Sequence, residues 1–137
     1  MVVGPTGLAY DASEDILYVA STNDNEIFAV AGAGHAGSDL GTGTVIYQDN
    51  EHLFGPLALA LAPNGDLITA NGDAINNPNP SQFSLIVEFT PTGQFVGQYQ
   101  IDPNAGSAFG LAVQRSRGKI LFAAVDDFTS VLDEWRE

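Results

Sequence analysis

GPTGLAYD (Gly4–Asp11) and GPLALALAP (Gly55–Pro63) are two versions of one phrase, and AFGLAVQ (Ala108–Gln114) is a looser third. Anchored on the shared Leu-Ala, Leu8, Leu59 and Leu111 stand 51 and 52 residues apart. A second apolar run follows each anchor after 8 or 9 residues: ILYVAS from Ile16, LITAN from Leu67 and ILFAAV from Ile120. Between phrase and run lie DASED, PNGD and RSRGK, which have the length and composition of hairpin turns. A third run closes each unit, EIFAV from Glu26, SLIVEF from Ser84 and SVLDEW from Ser130, and a fourth occurs twice, TVIYQ from Thr44 and FVGQYQI from Phe95.

The runs are rich in β-branched, aromatic and alanine residues, and the joints carry the Gly, Pro, Asn and Asp that tight turns require. No window has a convincing 3.6-residue period. LALALA alternates with period 2 between Pro56 and Pro63, which disfavours a helix there. Four short strands repeated about every 50 residues are the pattern of a β-propeller blade. The expected fold is therefore all-β: three blade units at about 4–50, 55–102 and 108–137 in a single domain, the last lacking its outer strand. The small Gly-Leu-Ala strand suits the innermost position, where blades crowd the axis.

The first unit, GPTGLAYDASEDILYVASTNDNEIFAV, resembles the NHL-type repeat, in which Gly-Pro precedes a Gly-Leu-Ala strand, a turn and a Leu-Tyr-Val-Ala strand. GPLALALAPNGDLITANGD with LIVEFTPTGQFVGQYQID is similar to it. FGLAVQRSRGKILFAAVDDFTSVLDEW resembles the last blade of bacterial NHL-like six-bladed propellers. The resemblance spans essentially the whole chain and implies the carboxy-terminal half of such a ring, from a secreted or periplasmic bacterial protein. Met1–Val3 run straight into Gly4-Pro5 and do not read as a signal peptide. Family members complete the last blade with an amino-terminal strand, for which this chain offers only Met1–Val3.

Three blades do not close, because closed propellers have about four to eight. A lone set would expose two apolar blade faces and unpaired strand edges. The expectation is that the chain pairs with itself, as a homodimer in which two halves complete a six-bladed ring; the alternatives are a different copy number or open assembly, or the carboxy-terminal half of a longer protein that supplies the other blades itself.

Seventeen acidic side chains face four basic ones, a formal charge of −13, and residues 1–114 contain no Lys or Arg at all. Such a surface repels phosphate backbones and anionic lipid, so neither nucleic acid nor membrane is an expected partner. With no Cys there is no disulfide, thiolate metal site or Cys nucleophile.

The loops between second and third strands, TNDN (Thr22–Asn25), NGDAINNPNPSQF (Asn71–Phe83) and VDDF (Val125–Phe128), should ring one end of the channel. Their Asn23, Asp24, Asn71, Asp73, Asp126 and Asp127, with Asp49, Glu51 and His52 nearby, offer hard oxygen donors. The metal-ligand candidates are Asp24, Asn71, Asp73, Asp126 and Asp127, for Ca2+ or another divalent cation. The same residue types are also what tight turns use. No Gly-x-Ser-x-Gly elbow occurs, and GAGHAGSDLGTG around His35 lacks the Lys of a phosphate loop.

Gluconolactonase-type propellers, to which the repeat is related, hydrolyse lactones with one divalent ion, taking an Asn from Pro-Asn-Gly-Leu and an Asp from Val-Ala-Asp. Here those motifs read Pro5-Thr6-Gly7-Leu8 and Val19-Ala20-Ser21, and the second unit offers Leu57 and Asn71. Streptogramin-lyase-type propellers need a catalytic His beside a metal, but no accompanying motif surrounds His52. The expectation is thus a non-catalytic, self-assembling binding or scaffold module, with no catalytic residue assigned. A metal-dependent lactonase is the alternative. The long loop from Asn71 to Phe83 is the expected recognition element, for a peptide, saccharide or protein. Arg115, Arg117 and Lys119 are expected on the opposite face, and Trp135 in blade packing.

Overall fold

The computed structural model describes residues 2–35, 37–72, 84–104 and 106–137. Eleven strands are seen among them: β1 (Pro5–Asp11), β2 (Ile16–Ser21), β3 (Glu26–Ala31), β4 (Thr44–Gln48), β5 (Leu59–Leu61), β6 (Leu67–Ala70), β7 (Ser84–Phe89), β8 (Phe95–Asp102), β9 (Ala108–Ser116), β10 (Lys119–Asp126) and β11 (Val131–Arg136). They form three antiparallel meanders, β1-β2-β3-β4, β5-β6-β7-β8 and β9-β10-β11. A single 3-10 turn, Ala33–His35, interrupts the β3–β4 connection. The fold is half of a β-propeller, two four-stranded blades and one of three strands.

Turn chemistry sets the registers. The β9–β10 hairpin turns on Arg117 and Gly118, both at positive φ (52° and 77°), the two-residue geometry whose twist matches the flanking strands. Registry then puts equivalent residues in equivalent places. Leu8 pairs with Val19, Leu59 with Thr69 and Leu111 with Ala124, so the three anchor leucines share one position. By the same reading Ile27, Ile86 and Leu132 are equivalent, facing Ala20, Ala70 and Val125.

Inner strands lie side by side, β1 against β5 and β5 against β9. Gly7 makes that approach feasible: a Cβ there would overlap the Leu57 carbonyl oxygen and crowd the backbone of Ala58 and Leu59. The core is the seam between the first two blades. Tyr18, Ala20 and Ile27 of the first meet Leu59, Leu67, Val87 and Phe89 of the second, with Tyr47 and Leu53 closing the outer end. Tyr47 stacks on Phe89, ring centroids 4.5 Å apart and 8° from parallel. Each blade thus presents its leucine face to the preceding blade and its Ile27-type face to the following one.

Candidate functional site

The ends of β2, β6 and β10 carry Ser21, Asn71 and Asp126 at the same repeat position, and each side chain fastens a loop. Ser21 Oγ accepts from the Val3 amide at 2.8 Å and donates to Asp24 Oδ2 at 2.7 Å. Asp24 also accepts from the Val3 amide. Buried Asn71 accepts from the Phe54 amide at 3.0 Å and donates to the His52 carbonyl at 2.6 Å, holding the loop that leads into β5. Asp126 accepts from the Phe128 and Thr129 amides and the Thr129 hydroxyl, closing its own turn. Asn25 does for Gly55 what Asn71 does for Phe54, and donates to Asn50.

The metal-ligand candidates therefore divide. Asp24, Asn71 and Asp126 are engaged in these fastenings, Asp127 is exposed, and Asp73 lies outside the described residues. Most of the long Asn71–Phe83 loop also lies outside them. Among the described residues no group of three or more His, Asp or Glu side chains is placed to hold a metal ion. The two lactonase-motif positions are committed likewise. Thr6 Oγ1 and Thr22 Oγ1 lie 2.8 Å apart and 3.1 and 2.9 Å from the Pro56 carbonyl oxygen, so one hydroxyl donates to the other and that other to the carbonyl, which clamps the first blade to the second. Thr6 and Ser21 thus spend their hydroxyls on structure, and the residues present do not fit the divalent site of that motif.

The most organised polar group is one outside the five metal-ligand candidates, on the loop that bears Asp49 and His52. Asp49 Oδ2 accepts from Tyr47 Oη at 2.6 Å and lies 2.6 Å from His52 Nδ1, and Asp49 Oδ1 caps the Glu51 and His52 amides. The His52 ring stacks on Phe95 at 3.9 Å. His52 is half-buried, because its carboxylate partner and a β8 aromatic take both its edge and its face. Burial pushes the Asp49 carboxyl up, but the hydrogen bonds from Tyr47, His52 and the two amides together outweigh it and hold the group below the ordinary carboxylate range. Burial, with Asp49 beside it, drives the Tyr47 phenol far up. The readable sign was Asp49-x-x-His52, the spacing at which an Asp caps a turn and reaches a side chain in it. The arrangement braces the outer end of the seam.

Between the second and third blades lies an open apolar cleft of about 410 Å³, lined by Ile68, Ile86, Tyr99, Ile101, Phe122 and Trp135 among others. Tyr99 faces Ile86 across β7–β8 as Tyr47 faces Ile27 across β3–β4, and Trp135 faces Phe122 as Phe89 faces Leu67. The cleft is therefore the counterpart of the filled Tyr47–Phe89 stack. Trp135 packs on Phe122 (5.3 Å) yet remains half exposed, so it is only partly the packing residue expected.

The opposite end carries the first-to-second strand hairpins. Asp11 Oδ1 caps Ser13 and Glu14, and Asp15 accepts from Tyr10, the Gly34 amide and His35. The bond from His35, helped by those from Gly34 and Tyr10, holds the Asp15 carboxyl below its ordinary value. His35 is thus tied down at a hairpin. Arg115, Arg117 and Lys119 project from the third hairpin, without a carboxylate within ion-pair distance among the described residues.

Neither a protein-family model nor a curated protein sequence matches the chain. Solved structures do. A calcium-binding protein, regucalcin, from Agrobacterium tumefaciens superposes with a TM-score of 0.65 at 12% identity, covering 95% of this chain and 44% of its own. Catalytically inactive virginiamycin B lyase from Staphylococcus aureus, solved with quinupristin, gives 0.62 at 12% identity, over 96% and 40%. A gluconolactonase from Xanthomonas campestris gives 0.58 at 18% identity, over 91% and 36%. The chain thus spans about two fifths of the length of the solved proteins it matches. At these identities the likeness is one of fold: the three sheets are propeller blades, and their number is that of a partial ring.

Proposed function

We propose that the chain is a ring-forming half propeller of NHL-type repeats: two copies join head to tail into a six-bladed ring that serves as a binding scaffold. One observation carries the reading. Leu59 is 6% exposed where a preceding blade covers it, whereas its equivalent Leu8 is 61% exposed; Ile27 is fully buried by a following blade, whereas its equivalent Leu132 is 57% exposed. The two open faces are the two halves of a seam that the chain already makes internally. A second copy supplies the missing half to each, forming two identical junctions.

The binding face is the channel end that bears the Asn71–Phe83 loop, and a peptide, saccharide or protein is the class of ligand it suits. The acidic chain disfavours nucleic acid and membrane surfaces. The gluconolactonase and regucalcin likenesses speak for a second reading, a divalent-ion-dependent hydrolase. Against it stand the structural engagement of Thr6, Ser21 and Asn71, and the fold's habit of hosting many unrelated functions. Absolute mass by light scattering across a dilution series tests the first reading. A mass of two chains that persists on dilution is expected; a soluble single chain, or any other stable copy number, overturns the two-copy ring. Lactone turnover abolished by EDTA would replace the scaffold reading with the hydrolase one.

A further inference from the structure

Resting on that head-to-tail ring, we propose that its polarity is set by charge: the basic hairpin of the third blade, Arg115 to Lys119, docks beside the acidic hairpin of the first blade, Asp11 to Asp15, of a second copy.

Within the chain, neighbouring hairpins of this type meet. Asp11 and Ser13 of the first blade, Ala62, Pro63 and Gly65 of the second and Arg115 of the third border one cleft at this end. A further blade docked on the third would therefore bring its own first hairpin beside Arg117 and Lys119. Three of the four basic residues of the whole chain are collected at this single turn. All three are exposed, and none has a carboxylate within ion-pair reach among the described residues. The equivalent hairpin of the first blade carries Asp11, Glu14 and Asp15, with Glu14 exposed. The second hairpin, Pro63 to Asp66, has one acid, held by Asn64.

Going round the closed ring, the hairpins read acidic, near-neutral, basic, then acidic again. In blade order the basic hairpin is followed directly by an acidic one only across the junction between copies; within the chain Arg115 and Asp11 border a common cleft with the second hairpin between them. The opposite docking, third blade on third blade or first on first, sets like charges together and mates two faces of the same kind. Charge so placed contributes modestly to affinity, since exposed pairs are individually weak. It acts chiefly on orientation and partner choice.

Two charge-reversed chains test this. One carries Arg115→Glu, Arg117→Glu and Lys119→Glu. The other carries Ala12→Lys and Glu14→Lys, sparing Asp11 and Asp15 because their carboxylates hold the turn. The first variant places like charges at both junctions; the second, whose two lysines balance Asp11 and Asp15, removes the attraction there. Each alone should have its dimer dissociation constant raised, by roughly tenfold or more for the first and less for the second. Mixed in equal amounts they should re-form a two-chain particle containing one of each, read by light scattering and by a mass tag on one variant. Raising salt from about 0.05 M to about 0.5 M should weaken the parent dimer, strengthen that of the triple-Glu variant and leave that of the double-Lys variant little changed. Variants that dimerise as well as the parent, or a mixture that fails to recover, overturn the hairpin pairing while leaving the ring intact. A parent chain that is itself monomeric overturns the ring and the pairing with it. Circular dichroism of each variant, matched to the parent, excludes misfolding as the cause of a lost dimer.

Discussion

The seam between the first two blades and the two outward faces are made from the same repeat positions, yet they differ in almost every physical respect. In the seam Leu59 and Ile27 interlock, Tyr47 stacks on Phe89, and the Thr6–Thr22 clamp and the Asp49–His52 pair hold either end. On the outward faces the equivalents Leu8 and Leu132 have nothing to meet. Residue type is thus not what separates core from surface here. A blade face becomes core only when a second blade is laid on it, which is why repeat architectures of this kind are stable only as stacked sets.

The comparison is broken most directly by truncating the same leucine in two blades. Leu59→Ala should lower unfolding free energy by about 2–5 kcal/mol at every protein concentration, measured by urea denaturation. Leu8→Ala should cost less than about 0.5 kcal/mol when chains are separate, its effect showing only as weaker association. Equal, concentration-independent losses would mean that the first blade's outward face is already covered within one chain. Gly7→Ala probes the approach of the two inner strands. Its Cβ has no space beside Leu57 and Ala58, so a loss of about 1–3 kcal/mol is expected. A neutral result would show that the inner strands can slide apart without opening the seam.

Asn71→Ala removes a buried side chain that satisfies the Phe54 amide and the His52 carbonyl at once. The expected loss is about 1–3 kcal/mol, from leaving buried backbone groups unpaired. Asn71→Asp sharpens the result, since it keeps the acceptor for Phe54 and loses the donor to His52. If Asn71→Ala instead leaves stability unchanged and abolishes ligand binding, the residue belongs to a binding site and not to the loop fastening.

The fold was legible because its evidence is repeated. The Leu8, Leu59 and Leu111 phrases recur in step, and the turns between runs use residues with few other employments, so each unit checks the others. The site was not legible for a related reason. Asn71 and Asp126 sit where an Asn or Asp serves equally as turn fastener or as oxygen donor, and composition does not distinguish the two. Only the partners do, Phe54 and His52 for the one and Thr129 for the other. The Tyr47–Phe89 stack escaped notice because each residue alone reads as an ordinary strand aromatic. Their meeting depends on how one blade's outer strand lies over the next. Thr6 and Ser21 stand where the resemblance places ligands, and their role as clamps lies in the fold and not in the motif.

Acid should loosen the braced end of the seam before its middle. The Asp49 carboxyl titrates below its unfolded value of about 4, so the stability it contributes is present above that value and is lost as pH falls through the lower folded one. Urea midpoints should therefore drop below about pH 4, and Asp49→Asn should show a shallower drop with a loss of about 1 kcal/mol at neutral pH. A steeper acid dependence in Asp49→Asn would reverse the sign and show that its hydrogen bonds do not hold the carboxylate.

The smallest effect is expected from divalent metal, and it bears on the end of the channel where seam and open face meet. Calcium or EDTA should shift the melting temperature by less than about 1 °C, because three of the candidate ligands, Asp24, Asn71 and Asp126, are already accepting hydrogen bonds that folding itself requires. For an ion to win, Asp126 would have to release the Phe128 and Thr129 amides, and Asp24 the Val3 amide and the Ser21 hydroxyl. Each exchange costs what the amide or hydroxyl loses. A calcium-dependent rise that disappears in Asp126→Ala would therefore show that the turn gives up its fastening for a ligand. The channel mouth would then be a metal centre built on the same residues that close the blades.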